Sequence, residues 1–213
     1  MNLPPAETSV APASFAQQRL WFLDRFEPGS AVFHIPLAVR LTVELDHAAV
    51  RRALEEIASR HETLRTTLTV ENGEVVQVIH PAPTVKLVEE GVPDAADLPA
   101  RLVKEARRPF DLERGPLWRA VLFRIEPRDH VLLLTLHHSI ADGWSLGVLI
   151  GEFSALYAGP GAGAGVILPE LKIQYADFAA WQRDWLQGEV LARQVKYWRR
   201  TLAGAPAVLP LPT

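Results

Sequence analysis

Apolar and polar residues alternate with two different periods along the chain, and these periods predict strands separated by helices. Over residues 37–45 every second residue is apolar, which is typical of a strand with one face against a core. Residues 131–136 are apolar almost throughout, which predicts a strand buried on both faces. Asn72-Gly73 indicates a type I′ hairpin turn, because both residues tolerate a positive φ. The predicted strands are residues 37–45, 64–70, 75–79, 85–88, 117–125 and 131–136.

Apolar residues spaced three and four positions apart predict the intervening helices. Ser14 and Asp46 each precede such a segment, and their side chains are suited to cap the first helical turn. The glycine-rich segment 159–165 is predicted to be a mobile surface loop, and it lacks the Lys and the Ser or Thr of a phosphate-binding P-loop. The predicted helices are residues 14–26, 50–61, 99–107, 146–156, 175–187 and 190–202. Hairpins and crossovers together predict an α/β fold, an α+β sandwich in which a mixed sheet is layered with helices.

Composition narrows the class of function. The chain has 213 residues, of which 48% are hydrophobic, so it can bury a core. A formal net charge of -3, with scattered basic residues, gives no reason to expect nucleic acid or an anionic membrane as a partner. The absence of cysteine excludes disulfides, thiolate metal sites and a cysteine nucleophile. With neither a signal peptide nor an 18-residue apolar span in the sequence, we expect a cytoplasmic protein.

The most informative motif, HHSIADG, covers residues 137–143, where the buried strand ends and a helix begins. Adjacent strand residues point to opposite faces, so we expect one of His137 and His138 to face the chemistry and the other to support it. Asp142 is placed to accept hydrogen bonds from turn amides or to pair with a cation. Gly143 would let a substrate or another chain approach the backbone at a helix N-terminus, where amide groups favour negative charge.

Two other interpretations of the histidine pair remain open on these residues alone. In the first interpretation, both histidines are polar residues at the end of the strand that form hydrogen bonds to the backbone. This is the more common arrangement for an isolated His-His pair. Alternatively they would bind a metal ion, although the motif has no HExxH pattern and no third ligand close by.

The same seven residues match the HHxxxDG signature of condensation domains from nonribosomal peptide synthetases, and three further segments resemble that family's motifs in the same order. These segments are SFAQQRLWFL at 14–23, RHETLRT at 60–66 and YADFAAWQR at 175–183. The resemblance implies a fold like chloramphenicol acetyltransferase, with two lobes and a tunnel between them, of which this chain matches the first lobe. It divides the chain into a flexible N-terminal segment (1–13), an N-terminal lobe (14–204) and the start of an inter-lobe linker (205–213).

The family resemblance implies amide bond formation between a donor acyl or peptidyl thioester and an acceptor aminoacyl thioester. Both substrates arrive on the phosphopantetheine of carrier proteins, and the resemblance implies no covalently bound cofactor and no metal. The expected partners are the C-terminal lobe of the same domain, donor and acceptor peptidyl carrier proteins and an adjacent adenylation domain. Because the other wall of the tunnel is missing, we expect the isolated lobe to be inactive.

The resemblance also implies roles for individual residues. His138 is expected to face the tunnel, and the Gly143 amide to hold the pantetheine arm or the developing oxyanion. His137 is the supporting histidine. Asp142 is expected to be architectural and to pair with an arginine, for which Arg65 is the first candidate and Arg60 the second. Trp181, together with Tyr175, is predicted to pack in the core, and Arg19 and Trp21 to be structural.

Three alternatives to condensation stay open. An epimerisation domain or a catalytically silent recruiting domain would share the fold, and a truncated lobe could also be a non-catalytic interaction module. Residues 137–142 further satisfy the HxxxxD spacing of glycerolipid acyltransferases, but that hypothesis leaves the other three motifs unexplained.

Phe33-His34 departs from the tyrosine and asparagine that related sequences often carry there.

Overall fold

The computed structural model describes residues 8–81, 86–158 and 168–208, and within these ranges it contains two sheets and six α-helices. The strands are β1 Ser9–Pro12, β2 His34–Leu41, β3 Thr66–Glu71, β4 Glu74–Ile79, β5 Leu87–Gly91, β6 Trp118–Glu126 and β7 Asp129–His137. The helices are α1 Phe15–Phe26, α2 His47–Arg60, α3 Leu98–Ala106, α4 Gly143–Ala158, α5 Tyr175–Trp185 and α6 Gly188–Thr201. The predicted α/β class, with a mixed sheet layered by helices, is confirmed.

Strand β7 lies inside the four-stranded sheet, whose order is β2-β7-β6-β5. It runs antiparallel to β2 and β6, whereas the edge strand β5 is parallel to β6. On one face Leu134 and Leu136 join a large core that includes residues of α2 and α4. On the other face Leu133 packs in a second core, against which residues of α3 lie. The apolar run 131–136 is therefore buried on both faces, as its composition predicts.

Local signals in the sequence explain several element boundaries. The Ser14 side chain caps α1 by accepting a hydrogen bond from the Gln17 amide, and Asp46 caps α2 through the amide of Ala49. Asn72 and Gly73 have φ values of 52° and 83°, which confirms the predicted turn between β3 and β4.

The structure corrects several sequence-based boundaries, and the predicted strand 37–45 is observed as His34–Leu41. Strand β1, Ser9–Pro12, falls in the segment 1–13 that we expected to be flexible, and that expectation is wrong for these four residues. They pair with β4 at the edge of the three-stranded sheet β1-β4-β3. A strand this short does not show an alternation of apolar and polar residues from which it could be predicted. A 3₁₀ turn, Glu62–Arg65, occupies the start of the predicted strand 64–70. The predicted loop 159–165 lies outside the described residues.

Candidate active site

The HHSIADG motif forms the turn between β7 and α4, and it separates its two histidines. Strand β7 ends at His137 and helix α4 begins at Gly143. His137 is 2% exposed, whereas His138 is exposed and lines a cavity of about 400 Å³. The alternation of β7 thus extends to the motif, since His138 shares the face of Leu136 and His137 the face of Leu133.

The cavity lies where α1, α2, α4 and α5 meet the end of β7. Its apolar wall consists of core side chains, among them Leu20, Ile57, Leu64, Leu136, Ile140 and Leu149. Four polar side chains that reach it from other elements are Arg19, His61, Thr63 and Tyr175. His138 therefore borders a space that combines an apolar wall with a few polar groups, which is the usual composition of a small-molecule site.

His137 is a neutral histidine that shapes the turn. Its Nδ1 accepts a hydrogen bond from the backbone amide of Ser139 at 3.1 Å, and the Ser139 hydroxyl lies 2.8 Å from the same nitrogen. Nδ1 therefore carries no proton, and the neutral ring is protonated at Nε2. Burial, followed by the charges of the neighbouring His34 and His138, lowers the pKa of His137 to about 4.

Phe33 and His34, where the family resemblance implied other residues, lie next to both histidines of the motif. The carbonyl of Phe33 accepts a hydrogen bond from the backbone amide of His138 at 2.8 Å, and Phe33 also lines the cavity. His34 is paired with His137 across β2 and β7, and its Nδ1 donates to the carbonyl of Ala106 at 2.8 Å. This departure from the pattern therefore lies in direct contact with the turn.

Comparison with known proteins assigns the family. A model of the condensation domain matches residues 7–213. The chain belongs to the condensation domain family. One polypeptide of the linear gramicidin synthase of Brevibacillus parabrevis is 48% identical over 99% of this chain, which spans 3% of that protein. Phosphinothricin tripeptide synthetase PhsC of Streptomyces viridochromogenes is 42% identical over 98% of this chain, which spans 20% of that protein.

Solved structures agree with this family and give the share of a domain that the chain represents. The X-domain in complex with OxyB from teicoplanin biosynthesis is similar with a TM-score of 0.87 and 36% identity, over 100% of this chain and 48% of that one. The first condensation domain of the calcium-dependent antibiotic synthetase has a TM-score of 0.79 at 20% identity, over 93% of this chain and 48% of that one, and shows likeness of fold. The chain therefore spans about half of these solved structures, and the resemblance to the first lobe of a condensation domain is confirmed.

Among the residues that the structure describes, Asp142 of this condensation-family motif forms no ion pair with an arginine, which corrects the expectation. Its carboxylate accepts hydrogen bonds from the backbone amide and the hydroxyl of Ser145, at 2.8 and 2.7 Å, and its own amide donates to that hydroxyl. The amide of Ser145, followed by its hydroxyl, lowers the pKa of Asp142. Asp142 is exposed and caps the first turn of α4, so it is architectural by a different contact from the one predicted.

Both candidate arginines are bound to nearer acceptors. Arg65 donates to Glu62 at 3.2 Å and to the carbonyl of His80 at 2.6 Å. Arg60 donates to Glu152 at 3.0 Å, and the same carboxylate lies 2.7 Å from Nε2 of His61. The side chains of Arg60 and Glu152 are only 14% and 13% exposed, so this ion pair ties the end of α2 to α4 beside the cavity.

Gly143 lies at the start of α4 but outside the cavity lining. Apart from its chain neighbours and the backbone of its own helix, a Cβ atom built on it would meet no atom of the described residues within 4 Å. Within this part of the chain, therefore, packing does not require a glycine at this position. Any such requirement would come from a group outside the described residues.

Trp181 is not a core residue, which corrects a second expectation. It is 54% exposed and stacks on Trp185 at a ring-centroid distance of 5.5 Å. Helix α5 instead buries Ala179. Tyr175 is half-buried, because its hydroxyl lies 2.9 Å from the Ser14 hydroxyl while its ring borders the cavity.

Part of the site was not predicted from the sequence. Arg19, expected to be structural, is exposed and lines the cavity, and His61 and Thr63 line it as well. Gln17, to which no role was given, donates a hydrogen bond to the carbonyl of Ser139 at 3.2 Å. All four residues lie in the segments 14–23 and 60–66, so their presence in family motifs was the available signal.

Two observations concern metal and membrane. Within residues 8–81, 86–158 and 168–208, no group of three or more His, Asp or Glu side chains is placed to hold a metal ion. Every helix in these ranges is too short or too polar to span a bilayer.

Proposed function

We propose that this chain is the half of a condensation domain that carries the histidine of the reaction, and that the complete domain forms an amide bond between two carrier-bound thioesters. The observation that supports this most directly is the exposed His138 at the rim of a cavity, beside a buried and neutral His137. Strand end, cavity and histidine coincide, as they do in many α/β sites.

The proposed reaction joins an acceptor amine to a donor acyl carbon. The amine attacks the thioester carbonyl, the C–N bond forms, the C–S bond breaks, and the thiol of the donor arm leaves with a proton. An α-amine has a pKa of roughly 7.7 to 8.0, so about a tenth of it is already neutral at pH 7. Removing a proton before the attack is therefore a small part of the barrier.

His138 acts after or during the attack in this proposal. The attacking nitrogen becomes a strongly acidic ammonium, and an imidazole within hydrogen-bond reach accepts its proton or orients the amine and the tetrahedral species. We favour orientation, with proton transfer as an addition. The amide of Gly143, at the N-terminus of α4, is proposed to bind the pantetheine arm or the oxyanion.

The proposed partners follow from the share of the domain that is present. The C-terminal lobe would supply the second wall of the tunnel, and donor and acceptor peptidyl carrier proteins would deliver the substrates in the cytoplasm, next to an adenylation domain. Without the second lobe we expect no condensation.

A second candidate function has one observation in its favour. The chain is 36% identical to the X-domain that was solved with OxyB but 20% identical to a solved condensation domain. By analogy, the lobe would serve as a docking domain for another enzyme and would need no catalytic histidine. The intact His138, directed at a cavity, favours catalysis over this alternative.

One experiment separates the candidates. The chain joined to a complete second lobe is supplied with a donor carrier and an acceptor carrier, each loaded with its substrate, and the acceptor carrier is followed by intact mass. We expect the condensed product, and we expect His138→Ala to abolish it or reduce its rate at least tenfold. Product at an unchanged rate in His138→Ala would remove the histidine from the mechanism, and absence of product from the unaltered domain with every carrier pair would favour the docking function.

A further inference from the structure

We infer that Gln17 is a positioning residue, which sets the place of His138 by holding the backbone of the turn that carries it. The inference rests on the proposed function, because it concerns how His138 is presented to the reacting groups. Gln17 belongs to α1, far from the motif in sequence, and it does not line the cavity.

The side chain of Gln17 is buried and fully hydrogen-bonded. It is 1% exposed, and its Nε2 donates to the carbonyl of Ser139 at 3.2 Å and to Oε1 of Gln77 at 3.0 Å. Its Oε1 accepts the backbone amide of Ser14 at 2.9 Å. A buried amide whose donors are both used has a fixed orientation, because any rotation would leave a polar group unsatisfied.

The contact continues into the smaller sheet. Gln77, on β4, is also 1% exposed, and its Nε2 donates to the carbonyl of Pro12 on β1 at 2.9 Å. Gln17 therefore connects the turn after β7 with two strands of a different sheet. This connection adds a support from the smaller sheet to the hydrogen bonds that the turn makes beside its own sheet.

The backbone around His138 is held on both sides. Its own amide donates to the carbonyl of Phe33 at 2.8 Å, and the carbonyl of the next residue, Ser139, accepts from Gln17. The amide of Ser139 is in turn bonded to His137. These backbone contacts fix the position of the Cα–Cβ bond of His138, and with it the place of the ring at the cavity rim.

A double-mutant cycle tests the inference in the complete domain. Gln17→Met keeps the length of the side chain but removes both donors and also the acceptor of the Ser14 amide. Gln18→Met is the matched control, because Gln18 is the next residue of α1 and its side chain bonds to the exposed Glu74 at 3.3 Å. We expect Gln17→Met to lower kcat for condensation by about ten- to a hundredfold, the loss that a displaced catalytic group causes, with little change in KM for the acceptor carrier. Gln18→Met should leave both unchanged.

The decisive arm is the His138→Ala background. If Gln17 acts by positioning His138, Gln17→Met causes no further loss of kcat once the ring is gone. An equal fold loss in both backgrounds would overturn the inference, since it would mean that Gln17 supports the reaction through general folding. Should Gln17→Met fail to fold, Gln77→Met takes its place: it keeps the contact to Ser139 and removes only the outer support, so a smaller loss, about threefold, is expected with the same dependence on His138.

A measurement on the His138 ring itself tests the positioning role of Gln17 independently of the proposed function. If His138→Ala leaves the rate unchanged, the proposed role of His138 fails, but the positioning can still be measured from the ring resonances of His138, assigned with that variant. We expect Gln17→Met to shift or broaden these resonances and Gln18→Met to leave them in place. Unchanged His138 resonances in a folded Gln17→Met protein would overturn the positioning role, whatever the reaction.

Discussion

Ser139 directs both its backbone amide and its hydroxyl at Nδ1 of His137, at 3.1 and 2.8 Å. Burial of this ring, which is 2% exposed, together with the charges of His34 and His138, lowers its pKa to about 4, and the acceptor role of Nδ1 agrees with a neutral ring. The first histidine of the motif is therefore a fixed, uncharged part of the turn. The second histidine, His138, is the one that faces the cavity.

The low pKa of His137 predicts a pH-dependent stability. In the unfolded chain the ring titrates near its ordinary pKa of 6.5 and in the fold at about 4, so between these values the unfolded state binds more protons. Acidification from pH 6.5 to pH 4 should therefore lower the free energy of unfolding, by about 3 kcal/mol from this residue. Urea titrations at several pH values measure the effect.

The control for this prediction is His137→Gln. Burial also lowers the pKa of His34 and of His130, so they add to the slope of the unaltered protein. The difference between the two proteins isolates His137, and the variant should show a flatter dependence between pH 4 and 6.5. Parallel curves would contradict the neutral, buried state of this ring.

Asp142→Ala is predicted to lower the free energy of unfolding only slightly. Because Asp142 caps α4 through Ser145 and is exposed, its loss should lower the free energy of unfolding by about 1 kcal/mol. A broken buried ion pair would cost roughly 3 to 5 kcal/mol instead. Denaturant unfolding of Asp142→Ala, Arg65→Ala and the double variant distinguishes the two, since without an ion pair the single effects should add.

Gly143→Ala should separate stability from activity. A Cβ at this position meets no atom of the described residues within 4 Å, so we expect the free energy of unfolding to change by less than about 0.5 kcal/mol. If substrate approaches the Gly143 amide, the added methyl group should nevertheless slow condensation. Gly147→Ala, equally unobstructed in the same helix, is the control and should stabilise the protein by up to about 1 kcal/mol without affecting the rate. Equal rates for both variants would contradict the proposed role of Gly143.

Glu152→Gln is predicted to be the most destabilising of these changes. The Glu152 carboxylate contacts both Arg60 and His61, and the side chains of Arg60 and Glu152 are largely buried. Removing its charge should lower the free energy of unfolding by about 3 kcal/mol. Arg114→Ala, at an exposed pair with Asp111, is the control and should change it by less than about 0.5 kcal/mol. A comparable small change in Glu152→Gln would contradict the structural role of this pair.

Residues with a local signature were predictable from the sequence. The apolar run of β7 indicated burial on both faces, Asn72-Gly73 indicated the hairpin, and the alternation through the motif separated His137 from His138. Each conclusion depends on neighbours within a few positions, where period, turn conformation and capping are decided.

Other features depended on contacts between distant elements. An arginine can pair with any carboxylate that the fold brings near it, and Arg60 and Arg65 meet Glu152 and Glu62 rather than Asp142. Helical spacing gives Trp181 an apolar face but does not say which face other elements cover. The hydrogen-bond partners of Gln17 could not be predicted from the sequence either, because an amide side chain can bond to any polar group that the fold brings near it.

The turn that carries His138 is short, yet its shape depends on contacts between residues that are far apart in the sequence. Gln17 and Ser139 are 122 positions apart, and the contacts that hold α1 to α5, Ser14 with Tyr175 and Ala13 with Arg183, span 161 and 170 positions. Closing such long loops costs entropy before any contact is gained, and chains that rely on them fold slowly. During synthesis the turn would therefore stay incompletely ordered until α5 has left the ribosome.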